Sequence, residues 1–284
     1  MTTQRLDPDP NPMLERLKTA SLALAISAIV AACATTTSPT GRTQVVGGVS
    51  QEELNQLGYQ AFNEVKAQKR PTTDARQQRE AQCIVSAITR QLPPNWQGGW
   101  ETVVFQDPEP NAFALPGGKV GVYTGIFKVA TTQDQLAGVI SHEIGHVISR
   151  HHEERITRQM GAQGAVQVLG ALLGSRYGEG IGSAAMQGGS VLAQTGFLLP
   201  GSREQESEAD VVGQQLMAQA GFDPRGAVAL WTNMIAASNG SRPPQWLSTH
   251  PNPESRIREL QQRATSLVPV YEQARAAGRR PSCG

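Results

Sequence analysis

His142, Glu143 and His146, in the run His142-Glu143-Ile144-Gly145-His146, are the residues best spaced for chemistry in this chain. Histidines at i and i+4 share one face of a helix, so both imidazoles can reach a single metal ion. Glu143 follows the first histidine by one residue and points sideways, toward a water held by that ion. A zinc ion that activates water against a peptide bond needs this arrangement. Such an ion takes three protein ligands and keeps one position open. His152 falls where the extended pattern HExxHxxGxxH puts a third histidine. Ser149 stands at the glycine position of that pattern, however, and a helix that continues turns His152 away from the metal. His151, His152, Glu153, Glu154 and Arg155 then read as an exposed, charged last turn. The better third ligand is Glu206, in the stretch Ser202-Arg203-Glu204-Gln205-Glu206-Ser207-Glu208-Ala209-Asp210. Asp210, one turn on, can accept the free N–H of a ligand histidine and fix its tautomer. Glu208, on another side of that helix, is the fallback ligand. An acidic first turn also suits the helix dipole, which accounts for Glu204 better than for Asp210.

Two helices must hold these groups. Thr132 and Gln135 make a T-x-x-Q capping box, so the first is expected from about Gln133 to His151. Leu136, Ile140 and Val147 give it an apolar stripe, bordered by Val139 and Ile144. Its histidine face carries Gly138, Gly145 and Ser149, which would leave room for a substrate chain. Ser202 with Gln205 caps the second helix, and Gly221 and Pro224 end it. Upstream, helices are expected over Glu52 to Lys69 and Arg76 to Leu92, split by Pro71 and Asp74. A strand follows from Glu101 to Gln106. Ala112 to Leu115 and Lys119 to Thr124 then form a hairpin around Pro116-Gly117-Gly118. The Gly-, Ala- and Ser-rich stretch 161–200 reads as two loosely packed helices, a lid over the cleft or ordinary small-residue packing. A further helix starts at Asp223-Pro224. A last one, capped by Asn252-Pro253, is expected to end near Ala264.

The run HEIGH, the stretch SREQESEAD and the upstream Asn111-Ala112-Phe113-Ala114-Leu115-Pro116-Gly117-Gly118 together resemble the HtpX-like and CAAX-prenyl-protease-like zinc metallopeptidases, peptidase family M48. The resemblance covers most of the chain after about residue 45. It maps Arg203, Glu206 and Asp210 onto the family's S-R-x-x-E-x-x-A-D pattern, with Ser207 where an aromatic residue is frequent. It implies an α+β fold: a mostly helical zincin (gluzincin) domain with a small sheet whose edge strand binds substrate. It implies one zinc ion per chain on His142, His146 and Glu206, and a metalloendopeptidase with Glu143 as acid–base group. Asn111, Ala112, Phe113 and Ala114 are assigned to the substrate edge, where strand addition would supply main-chain hydrogen bonds, with a plain hairpin as the alternative. His250, followed by Pro251 and six residues later by Arg256, matches a recurring family feature. It would approach the zinc, either to stabilise the oxyanion or to fill the open position, or else serve as a structural loop histidine.

Residues 1–32 read as a bacterial lipoprotein signal. Arg5, Arg16 and Lys18 precede an uncharged apolar run, and Val30-Ala31-Ala32 precedes Cys33, whose thiol would carry lipid. Residues 33–44 then form a tether and 45–284 the catalytic domain. The resemblance to short bacterial periplasmic lipoproteins implies an outer-membrane anchor facing the periplasm. The expected substrates are misfolded or misassembled envelope proteins, and the partners envelope-assembly proteins. A non-catalytic, chaperone-like lipoprotein with structural zinc is the alternative. With a formal net charge of +1 and no long basic run, nucleic acid is not an expected partner. Cys83 and Cys283 remain after Cys33 is set aside. Two cysteines in an oxidising compartment often pair, but their spacing leaves open a bridge or two separate thiols.

Overall fold

The computed structural model describes residues 35–159, 161, 202–238, 250 and 253–284. The signal segment, Cys33, nearly all of the stretch 161–200 and Asn252 lie outside these residues. The fold is α+β and mostly helical, with a small mixed sheet.

Thr35–Thr37 (β1) and Thr43–Val45 (β2) pair antiparallel as a short ribbon. β1 falls within the stretch 33–44 expected to be a tether, whereas β2 lies where a short strand from Thr43 to Val49 is expected. Gln51–Gln68 (α1) starts at Ser50, which forms a full capping box with Glu53. Ala75–Thr89 (α2) starts at Asp74, whose carboxylate accepts the amides of Arg76 and Gln77. Glu101–Phe105 (β3), Ala112–Leu115 (β4) and Lys119–Tyr123 (β5) form one sheet in the order β3-β5-β4. β3 runs parallel to β5, and β4 antiparallel to it. Phe62 of α1 packs with Phe105, Phe113 and Tyr123 of the sheet.

Gln133–Ile148 (α3) is the central helix, packed against α2, β4, and two later helices, Arg203–Ala220 (α5) and Arg225–Ser238 (α6). Every residue from Leu136 to Val147 is buried. Thr132 caps it as expected, but Gln135 turns its side chain to the Thr131 amide (2.7 Å), so only half of the box forms. α5 starts on the full Ser202–Gln205 box and ends at Gly221, which takes the left-handed conformation (φ 90). Pro253–Ala276 (α7) runs a full three turns past the expected end at Ala264. The reason is its apolar stripe. Leu260, Ala264, Leu267 and Ala274 are all buried at helical spacing, and they carry the helix across Pro269. Cys83 of α2 and Cys283 are joined by a disulfide with Cα atoms 5.5 Å apart.

α3 does not run on to His151. It stops at Ile148, Arg150 takes φ 55, and a new helix (α4) covers residues 151–159. A left-handed non-glycine residue is unfavourable by roughly 1 kcal/mol or more. Here the surroundings enforce it: the Arg150 guanidinium holds Glu153 at 2.7 and 2.8 Å, and Glu154, in the first turn of α4, is fully buried among charged partners. The residues expected as an exposed last turn are therefore turned inward. His151, Glu153 and Glu154 are buried.

The glycines of the histidine face also differ from expectation. A Cβ at Gly145 would stand 2.8 Å from the Ala209 carbonyl oxygen, and one at Gly213 would stand 2.7 Å from that of Ser141. At Gly138 it would meet the Cα of Ala227 at 2.9 Å. The room these glycines leave is filled by α5 and α6, not left for substrate.

Candidate metal centre

The backbone contact of α3 with α5 at Gly145 and Gly213 sets the two helices close enough for their polar side chains to meet. His142 Nε2 and His146 Nε2 lie 3.1 Å apart. Glu206 reaches across from α5, with Oε2 3.4 Å from His142 Nε2 and Oε1 3.5 Å from His146 Nε2. Donors about 2.0–2.1 Å from one tetrahedral zinc are separated by roughly 3.3 Å, so these spacings fit a shared ion. Glu206 Oε1 is buried and has no hydrogen-bond partner among the described residues. A buried carboxylate oxygen left this way is costly unless a cation takes it. His142, His146, Glu206 and His250 form one buried group whose donor atoms all lie within 4.8 Å of one another.

His250 enters from the chain just before α7. Its Nδ1 is 2.7 Å from Glu206 Oε2 and 3.2 Å from His142 Nε2, and its Nε2 is 3.3 Å from Glu143 Oε1. Asp210, one turn beyond Glu206, places Oδ1 3.0 Å from His142 Nδ1. Arg256 of α7 grips the same carboxylate through Nε and Nη2 (2.7 and 2.6 Å) and donates from Nη1 to Glu206 Oε2 at 2.9 Å. Its guanidinium lies over the Trp231 ring of α6, 4.2 Å from the centroid.

Charge follows from these contacts. Burial opposes ionisation of Glu206, but His250, His146 and His142 hold it well below the usual carboxylate range. Burial likewise opposes Asp210, and Arg256 then His142 outweigh it and lower its pKa. Burial pushes His146 well below its ordinary value, which keeps it neutral, the form that ligates metal.

Two sequence candidates are not part of the group. His152 is half-buried; burial lowers its pKa to about 3, and its Nδ1 has no hydrogen-bond partner among the described residues. Glu208, the fallback ligand, is turned away toward Thr40 (2.7 Å), Arg42 (2.8 Å) and His151 (3.1 Å). Arg256 and His151 went unassigned on sequence grounds. The first had a usable signal, its place six residues after His250. The second had none, because nothing local announced the break at Arg150.

β4 lies against α3 and is an outer strand of its sheet. Tyr123 N–H bonds to the Asn111 carbonyl (2.9 Å), so in the register Ala112↔Val122 and Ala114↔Val120 the main-chain groups of the two alanines face away from β5. The opposite side of the sheet is different, since β3 is bridged by Pro71 at Phe105 and by the Thr72 amide at Val104.

A buried histidine helix completed by a glutamate from a second helix, beside a small sheet, defines the zincin-like metallopeptidase class. The chain belongs to peptidase family M48, whose sequence profile matches residues 72–264. Members of this family are zinc-dependent, in agreement with the donor group. The chain is 40% identical over 164 residues to the mitochondrial metalloendopeptidase OMA1 of Schizosaccharomyces pombe, covering 57% of this chain and 46% of that protein. It is 33% identical over 174 residues to the beta-barrel assembly-enhancing protease of Escherichia coli, covering 60% of this chain and 36% of that one. It is 34% identical over 173 residues to the putative beta-barrel assembly-enhancing protease of Vibrio cholerae, covering 59% and 35%. The match thus spans less than half the length of each of these relatives.

Proposed function

We propose that this protein is a zinc-dependent endopeptidase that cleaves cell-envelope proteins. The observation that carries the reading is Glu206 of α5, gathered with His142 and His146 of α3 into one buried donor group. In the proposed site His142, His146 and Glu206 hold the ion. When bound, the zinc supplies Lewis-acid chemistry: it polarises the scissile carbonyl and lowers the pKa of water. Glu143 takes the proton from the attacking water and passes it to the leaving amine. Asp210 keeps the proton of His142 on Nδ1, leaving Nε2 free for the ion, and Arg256 holds that carboxylate in place. Asn111 to Ala114 bind the substrate backbone, and the outward main-chain groups of Ala114 support that assignment, while the Ala112 amide is taken by Asn111 Oδ1 at 2.9 Å. His250 would be a fourth donor to the ion when no substrate is bound. Its place in the same buried donor group as His142, His146 and Glu206 supports this role.

The finer setting is also a proposal. Residues 1–32 act as a lipoprotein signal, Cys33 carries the lipid, and the catalytic domain, with the ribbon β1–β2 docked on it, faces the periplasm from the outer membrane. Misfolded or misassembled envelope proteins are the substrates, and envelope-assembly proteins the partners. The name of the Escherichia coli relative, a beta-barrel assembly-enhancing protease, supports this setting. Among the described residues no helix is long and apolar enough to cross a membrane.

A second reading has one observation in its favour. Four buried donor residues, His142, His146, Glu206 and His250, lie together, the number that a structural zinc site would use, and a chaperone-like protein with structural zinc would have such a set. Glu143→Gln separates the two. The peptidase reading expects the purified variant to retain one zinc and to lose casein cleavage by roughly a thousandfold or more. Cleavage by the variant at the wild-type rate would refute the role of Glu143. Wild-type protein that holds zinc and cleaves nothing would favour the structural role.

A further inference from the structure

We propose that the N-terminal ribbon β1–β2 positions the metal ligand His146, acting through Glu208 and His151. This rests on the metal-site reading above and extends it to residues upstream of the family-matched segment 72–264.

The two ligand histidines are braced differently. His142 meets a carboxylate directly, through Asp210. His146 Nδ1 instead meets the Nδ1 of a second buried imidazole, His151, at 2.8 Å. His151 Nε2 lies 3.1 Å from Glu208 Oε2. Glu208 in turn accepts from Thr40 Oγ1 at 2.7 Å and from Arg42 Nε at 2.8 Å.

The direction of each bond follows from the groups at the outer end. A guanidinium only donates, and an ionised carboxylate only accepts. Glu208 therefore requires the proton of His151 on Nε2. The Nδ1 of neutral His151 is then an acceptor, and His146 donates to it from its own Nδ1. That leaves the His146 Nε2 lone pair aimed at His142 and Glu206, where the ion belongs. One tautomer satisfies the whole series. A brace on the free nitrogen of a ligating histidine typically changes metal affinity 10–100-fold when removed.

The ribbon is held in place by the same residues. Two three-residue strands do not stand alone in water. Arg42 also grips Glu154 through both terminal nitrogens (3.0 and 2.8 Å), and the Gly47 amide donates to Glu153 at 2.9 Å. Glu153 and Glu154 lie in α4, the helix that begins at His151. The left-handed turn at Arg150 brings His151 into reach of both His146 and Glu208. Docking of the ribbon and retention of the ion are then linked, and each favours the other.

The test measures zinc affinity of the full chain by competition with a chelator. Arg42→Met and His151→Leu are each expected to weaken zinc 10–100-fold. His151→Asn keeps an acceptor near the Nδ1 position but loses the Nε2 donor to Glu208, and is expected to fall between the wild type and His151→Leu. Adding Arg42→Met to His151→Leu is expected to cost less than about threefold more, since both cut one series. Thr40→Val removes a single donor with little change of shape and takes the place of Arg42→Met if that variant does not fold. Its ring N–H proton resonances of His146 and His151 are expected to shift from those of the wild type. Zinc affinity of Arg42→Met, or in its place of Thr40→Val, equal to wild type would overturn the proposal. So would a full second loss in the His151→Leu background. A wild-type chain that binds no zinc would sink the metal-site reading as well, whereas unaffected variants of a zinc-binding chain sink this inference alone.

Discussion

The two histidines proposed as ligands, His142 and His146, sit one turn apart on α3 and rest on different kinds of support. His142 leans on Asp210, which is pinned by Arg256, itself laid over Trp231; all of these lie within the family-matched segment. His146 leans on His151 and Glu208, and through them on Thr40 and Arg42, far upstream in sequence. The first support is short and made of opposite charges. The second is longer, and its innermost link joins two imidazoles. Damage to the first should therefore act on the stability of the fold as well as on the ion, and damage to the second mainly on the ion and on the ribbon.

The largest effect is expected at the short support. Asp210→Ala leaves the Arg256 guanidinium, 3% exposed, without its main partner. Breaking a buried pair from one side typically costs about 3–5 kcal/mol. Urea unfolding of the metal-free variant would read this, and a loss below about 1 kcal/mol would mean that the pair does not brace His142. Next comes the crossing of α3 and α5. Gly145→Ala and Gly213→Ala each put a methyl group into main-chain atoms, which typically costs about 1–3 kcal/mol, and they should weaken zinc binding by spreading the donors. Thermal melting with a zinc titration measures both, and an unchanged Gly145→Ala would show that the contact does not set the donor spacing.

The smallest effect is expected at the long support, in acid. Burial opposes the charge of Glu208, but His151, Thr40 and Arg42 hold its pKa below the ordinary 4.5. A lowered carboxyl stabilises the fold fully above its unfolded value, and that contribution is lost as pH falls through the folded one. Unfolding free energies measured from pH 6 downward should therefore fall less steeply below about pH 4.5 in Glu208→Gln than in the wild type. Parallel curves would mean that Glu208 is not preferentially ionised in the folded state.

Much of the donor group was legible because its signals are local. The i, i+4 histidines, the Ser202–Gln205 box and the helical offset of Glu206 and Asp210 each need only a few neighbouring residues. The β4–β5 hairpin was legible for the same reason, through Pro116-Gly117-Gly118. What escaped depends on distant partners. Arg150 turns left-handed with neither glycine nor proline to announce it, because carboxylates and cations from three segments enforce the turn. His151 therefore read as exposed. The Thr-rich residues before Gln44 read as a tether because the carboxylates that dock Arg42 are more than a hundred residues away. Gly138 and Gly145 read as open space because local sequence says nothing of which helix comes to fill it.

At the α3–α5 crossing, backbone touches backbone. The distance between the histidine pair and the opposing glutamate is therefore fixed by the thickness of two polypeptide chains, not by the bulk of any side chain lying between them. Substitutions elsewhere in the apolar interior can alter how firmly the molecule holds together while leaving the gauge of its ion cradle unchanged.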